Sequence, residues 1–277
     1  MERVPIYDNH IHLSPGGRNV DALKEFENSG GTGLTLVTLP YSEVKISGAD
    51  DFMRSYGITL SMADLARERT ELKVNVAVGP YPILLLPLAE RFGPERAEEL
   101  MMKGMKMAAE LVASGKADAI GEIGRPHFIV SKEIKEASDR ILVYGMELAA
   151  ENDRPVIIHS ESGSPELMKE LSGMAKSVSL SPGKVIKHFS PPLVRDDETY
   201  GVMPSIPASK KAIREALGKG DRFMLETDYI DDPERPGAVM SVNTVPKKVT
   251  GLLESGEMTQ ETAWKIGRDI PDRMFER

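Results

Sequence analysis

The chain has no cysteine among its 277 residues. Disulfides and thiolate metal sites are excluded, and any metal must be held by histidine, aspartate or glutamate. The absence fits a reducing compartment. Basic residues are also in deficit, 35 Lys and Arg against 43 Asp and Glu, for a formal charge of −8. Such a balance repels phosphate backbones and gives no support for broad nucleic-acid binding, leaving only a local basic site for that role. Long apolar runs are missing too. None approaches the roughly 20 residues that span a bilayer, and the longest, "PYPILLLPLA", is interrupted by prolines. The start, "MERVPIYDNH", has no signal-peptide core. The expected location is cytoplasmic, with no membrane and no obligate protein partner. Histidine is scarce, at five residues, so where those five fall carries information.

What the chain does have is alternation. Apolar, β-branched runs at 5–13, 33–40, 73–82, 117–124, 154–161, 183–190 and 222–229 read as strands, with a weaker one at 199–206. Amphipathic stretches at 19–29, 48–70, 93–115, 131–153, 164–178, 208–220, 241–255 and 259–276 read as helices. Asp50 or Asp51 is the expected N-cap of the second helix. Ser131 is that of the fourth, with a nearby acidic residue suggesting a capping box, and Gly115 stops the third. Methionines in 93–115 sit at core spacing and read as packing, not as a cofactor site. Eight strand–helix units with continuously apolar strands predict a (β/α)8 TIM barrel, with a doubly wound open sheet as the alternative. No linker, low-complexity tract or internal repeat divides the chain, so 1–277 is expected to be one domain.

In such a barrel the active site lies at the C-terminal ends of the strands. Strand one ends with His10 and His12, strand four with Glu122, strand five with His159, strand six with His188 and strand eight with Asp228. Residues two apart on a strand face the same way, so His10 and His12 converge on one point of the barrel mouth. Each residue has a bland alternative. The H-x-H pair can be structural, Glu122 can pair with a buried arginine, His159 and His188 can be hydrogen-bonded core, and Asp228 can cap a turn. Their joint occurrence at different strand ends raises the case for a metal centre.

The segments "DNHIHL", "AIGEIG", "PVIIHSE", "VIKHFS" and "LETD" resemble, in order and spacing, the TatD-related branch of the amidohydrolase superfamily. The likeness covers essentially the whole chain. It implies that His10 and His12 hold a first metal, that Glu122 bridges two, and that His159 and His188 hold the second. Asp228 would ligate the first metal and take a proton from the attacking water. One or two divalent ions (Zn, Mn, Mg or Co) are the implied cofactors, making hydroxide available near neutral pH.

The chain departs from the family pattern around this set. "GEIGRPHF" puts Arg125 and His127 in the loop where relatives carry an aspartate, and "HSES" puts Glu161 where many carry an arginine. All three are candidate substrate contacts. Arg125 can clamp an anion or pair with an acidic neighbour, and His127 can act on substrate or be a solvated loop residue. Pro191 and Pro192 stiffen the loop after His188, and "YIDDPERPG" adds acid at the mouth. The expected activity is metal-dependent hydrolysis, in first place of a phosphodiester (nuclease type), with a small ester, lactone or amide as the alternative substrate. A vestigial binding protein is disfavoured by the complete ligand set. Basic residues at the mouth would mark the nuclease, and a small closed pocket the alternative.

Overall fold

Why the strands close into a ring is visible in their composition. Segments such as Gly33–Val37 (GLTLV) and Val156–His159 (VIIH) have no polar face to give to water, so each must be covered by neighbours and by helices. In the computed structural model, which describes residues 3–235, 237 and 239–276, every strand pair is parallel. The strands are β1 (Tyr7–His12), β2 (Gly33–Val37), β3 (Lys73–Val78), β4 (Ala119–Gly124), β5 (Val156–His159), β6 (Val185–Lys187), β7 (Met203–Pro207), β8 (Met224–Glu226) and β9 (Tyr229–Ile230). They pair in chain order from β1 to β8, and β9 returns to pair with β1 through Ile11–Tyr229 and His12–Ile230. β8 and β9 are thus one interrupted eighth strand, and the sheet is the expected TIM barrel.

The helices α1 (Val20–Asn28), α2 (Ala49–Arg69), α4 (Pro94–Ala113), α5 (Lys132–Glu151), α6 (Pro165–Ser177) and α8 (Lys210–Leu217) fall where periodicity put them. Their starts are locally encoded. Ser131, Ser164 and Ser209 each accept a hydrogen bond from the backbone N–H three residues on. At α2 the structure corrects the expected cap. Gly48 is the N-cap, and Asp51 reaches back to accept from the N–H groups of Ser47 and Gly48. Helix α3 (Leu85–Phe92) lies in the proline-broken run and has no counterpart in the sequence expectations. Pro82 opens the 3-10 turn Pro82–Leu84 before it, and Pro87 sits in its first turn, where a missing N–H costs nothing. The short α7 (Asp196–Thr199) likewise has no counterpart in the sequence pattern, and it delays the seventh strand, expected over 199–206, to 203–207.

The last helices, α9 (Thr244–Glu254), α10 (Gln260–Trp264) and α11 (Ile270–Phe275), are joined by a π turn, Lys265–Asp269. They close the end of the barrel where strands begin. Tyr7 stacks on Phe275 at 6.3 Å, and Arg154, just before β5, donates to the Phe275 carbonyl at 3.0 Å. Lys73 at the start of β3 reaches Asp272 at 2.7 Å. A side chain at Gly267 would overlap the Pro5 carbonyl. With that end sealed, the C-terminal ends of the strands remain open, and there the polar residues collect.

Candidate metal centre

β1 carries the alternation Asp8, His10, His12, all buried on one face. The His10 Nε2 atom lies 3.1 Å from His12 Nε2 and 3.0 Å from Glu122 Oε2, and 3.9 Å from Asp228 Oδ1. His12 Nε2 is 3.7 Å and 3.6 Å from the same two oxygens. Ligands about 2.0–2.1 Å from a tetrahedral ion are spaced at about 3.3–3.4 Å, so these donors already stand at ligand separation. His12 Nδ1 donates to the Val37 carbonyl at 2.9 Å, which fixes its tautomer and turns the Nε2 lone pair inward.

The other oxygen of Glu122 faces the opposite side. Its Oε1 is 2.6 Å from His159 Nδ1, and His188 joins Glu122 and His159 in a second group of mutually close donors. The Nδ1 atoms of His10, His159 and His188 are buried without an aligned hydrogen-bond partner. An orphaned imidazole nitrogen beside a carboxylate oxygen is costly in a dry barrel, and at His159 Nδ1, against Glu122, a divalent cation would satisfy both. The donor set, imidazole and carboxylate only, fits such an ion.

The charge states follow from burial and neighbours. For Glu122, burial pushes the carboxyl up, but the His159 charge and the hydrogen bonds from His10 and His159 hold it well below the usual range. Asp228 is likewise held below its usual range: burial opposes ionisation, and contacts with His12, His188 and His10 outweigh it. His12 is raised despite burial, by Asp228 and Glu122. Burial and the nearby His188 lower His10. His188 is also opposed by burial, yet the charges of Glu226 and Asp228 raise it to about 9.

Asp228 occupies the break between β8 and β9, with φ at 51°. Aspartate is among the few side chains that tolerate the left-handed region, and residues held there concentrate at working sites. Two side chains make the break. Asp8 accepts from the Thr227 N–H at 3.0 Å, and Thr227 Oγ1 accepts from the Tyr229 N–H at 3.1 Å, so both amides leave the strand ladder. The expected continuous strand over 222–229 is corrected accordingly.

Three participants escaped sequence reasoning. Glu226, fully buried, lies 2.9 Å from His188 Nδ1, accepts from the Phe189 N–H and from Ser205, and completes a group with His10 and His188. The signal was present in "LETD", whose two acids are two apart like the histidines of "HIH". Asp8 accepts from the N–H groups of His10 and Thr227 and is pushed up to about 8 by burial. Tyr81 sets its ring edge-on to His159 at 5.3 Å.

The three expected substrate contacts, Arg125, His127 and Glu161, lie next to the mouth but outside its lining. Arg125 is buried and ion-paired to Asp139, to Glu170 at 2.6 Å and to Glu161 at 3.3 Å. Arg125, Glu161 and His127 line a separate cavity of about 350 Å3. Of the pair offered for Arg125, the acidic neighbours are what the structure places against it. Glu161 faces this arginine. His127 Nδ1 lies 2.9 Å from His159 Nε2, so it abuts the ligand set from outside. Gly124, at φ 137°, lets β4 pass the His159 carbonyl, which any side chain there would overlap.

The mouth itself is a cavity of about 720 Å3. Around His12, His159 and His188 its described lining includes Glu43, Glu122, Asp228, Asp231, Asp232 and Glu234, against one cation, Arg235. That cation is paired to Asp232 at 2.7 Å. Among the described residues, no helix is long and apolar enough to cross a membrane.

The model of a family described as TatD related DNase matches residues 7–276. The chain is 34% identical, over its full length and 97% of the relative's, to an uncharacterized protein of Methanocaldococcus jannaschii. It is similar in structure to a TatD homologue of Escherichia coli K12 (TM-score 0.68, 18% identity, all of both chains). A TatD-like protein of Archaeoglobus fulgidus is similar over 98% of this chain and all of its own (TM-score 0.59, 18% identity). At these identities the structural likeness speaks for the fold alone.

Proposed function

The chain belongs to the TatD-related DNase family, and from that premise we propose that it is a divalent-metal-dependent hydrolase of small ester, lactone or amide substrates whose reacting end is neutral or cationic. The observation that carries the hydrolase reading is the convergence of His10, His12, Glu122, His159, His188 and Asp228 at the open end of the barrel, with one Glu122 oxygen toward each half. These six are the proposed ligands, of one or two ions among Zn, Mn, Mg and Co.

A divalent ion held there supplies Lewis-acid charge and lowers the pKa of water. The chain's own residues do the rest. Asp228, ionised at neutral pH and open to the mouth, accepts the proton of the attacking water at its carboxylate and returns it to the leaving group. Val37 and Glu226 hold the His12 and His188 rings in place.

The choice of substrate class rests on charge. A polyanion needs unpaired Lys or Arg along its path, and the described mouth has carboxylates with a single, paired arginine. Family membership is the observation that favours the second reading, a phosphodiesterase of nuclease type. Metal-loaded protein assayed on aryl esters, lactones, bis-p-nitrophenyl phosphate and single-stranded DNA separates them. Turnover of esters or lactones with kcat/KM well above that on DNA supports the first reading. Preferential cleavage of DNA, weakening with salt, replaces it with the second.

A further inference from the structure

Beside the mouth lies a second cavity of about 380 Å3 that the proposed chemistry does not use. The two share lining residues, Leu39 to Ser42 together with Tyr81, so they lie side by side. The second cavity is apolar. Leu39, Val44, Ile46, Phe52, Leu84 and Leu88 face it. The polar groups among its walls are largely spent on each other. Tyr41 Oη pairs with Thr59 at 2.8 Å, Thr38 pairs with Thr59 at 2.9 Å, and Ser55 donates to the Leu39 carbonyl. Such a surface gains by covering hydrocarbon and loses by covering water.

The charge at this cavity is opposite to that at the mouth. Lys45 and Arg91, both exposed, line it. The Arg91 guanidinium meets Ser47 Oγ at 3.1 Å and lies over the Phe92 ring at 4.5 Å, and among the described residues no carboxylate pairs with it. Elsewhere in this acidic chain, cations such as Arg125, Arg140 and Arg214 are engaged by carboxylates. Tyr81 stands at the junction, against His159.

We infer that this side cavity is the substrate's specificity pocket, holding an apolar aryl or acyl arm that ends in an anionic group between Lys45 and Arg91, while the scissile bond sits at the ion site. The inference rests on the hydrolase reading for the position of the scissile bond, and on the cavity alone for the arm. A substrate of this kind is amphiphilic, with its neutral reacting end in the acidic mouth and its charge carried away from it.

Calorimetric titration of the purified protein with 4-phenylbutyrate and with 4-phenylbutan-1-ol tests the pocket without turnover. Both are expected to bind, with a negative heat-capacity change, and the carboxylate several-fold more tightly. Val44→Trp, which fills the cavity from the β2–α2 loop, should weaken both at least tenfold, and Leu84→Trp fills it from another segment should the first variant fail to fold. Lys45→Ala with Arg91→Ala should remove the advantage of the carboxylate and leave the alcohol unchanged. Absence of binding to the wild type, or equal binding to a folded Trp variant, overturns the pocket. An unchanged preference in the Lys45 and Arg91 double variant overturns its anionic end. With p-nitrophenyl esters, kcat/KM should climb about three- to fourfold per added methylene until the cavity is full. Probe binding without hydrolysis of any ester, lactone, amide or phosphodiester by the metal-loaded protein upholds the pocket and overturns the hydrolase reading.

Discussion

Single residues carry most of what the site can do. Glu122 and the alternating His10 and His12 were legible because a strand has period two and because carboxylates in apolar strands need partners. Glu226 and Asp8 obey the same alternation, yet each sits deep enough to pass for core polarity until the partners are seen. Arg125 shows the opposite limit. Its loop position suggested a ligand, but only three dimensions bring Asp139, Glu161 and Glu170 around it from two helices and a loop. Two predictions belong here. Because His188 is raised to about 9 by Glu226 and Asp228 against the effect of burial, it carries a proton at neutral pH. An ion must displace that proton. Metal uptake near pH 7 should therefore release protons, measured by titration in buffers of different ionisation enthalpy, and affinity should rise as pH rises toward 9. Gly124→Ala puts a side chain at φ 137° and against the His159 carbonyl. Denaturant unfolding should show a loss of about 2–3 kcal/mol.

Elements were legible in proportion to how much they rely on local signals. Serine caps and the 3.6-residue period marked α5, α6 and α8 within a few residues. Helix α3 hid because a proline in the first turn looks the same in sequence as a proline that breaks a helix. The interruption of the eighth strand hid because its cause, the Asp8 carboxylate, is 219 residues away in sequence. Helix α7 illustrates an element held by one side chain. Glu198 accepts from the N–H groups of Val194 and Arg195 at 2.9 and 3.0 Å and from Lys219 at 2.9 Å. Burial opposes its ionisation, but these bonds bring it down to about 2. A depressed carboxyl stabilises the fold fully above its unfolded value near 4.5 and loses that contribution as pH falls toward 2. Glu198→Gln should cost about 1–2 kcal/mol at pH 7 by thermal unfolding, and the gap between variant and wild type should close as pH falls from 4.5 toward 2.

At the scale of the whole molecule, the fold is a cup with a sealed base. Without cysteine, closure rests on strand pairing and on the three last helices packed over Ile6, Tyr7 and the strand starts. Removing residues 244–276 should expose that core and leave a chain without a cooperative unfolding transition, read by circular dichroism against temperature. The barrel was legible because eight repeated units admit few arrangements, whereas the split of the open end into an acidic mouth and an apolar side cavity arises from loops packing together, which periodicity does not encode. The central claim remains that the strand ends hold metal. Elemental analysis of purified wild type beside His10→Ala and Asp228→Ala tests it most directly. One or two equivalents of a divalent metal in the wild type, lost or reduced in both folded variants, is the predicted result. No metal after reconstitution, or equal metal in all three proteins, would mean the six-residue constellation is structural.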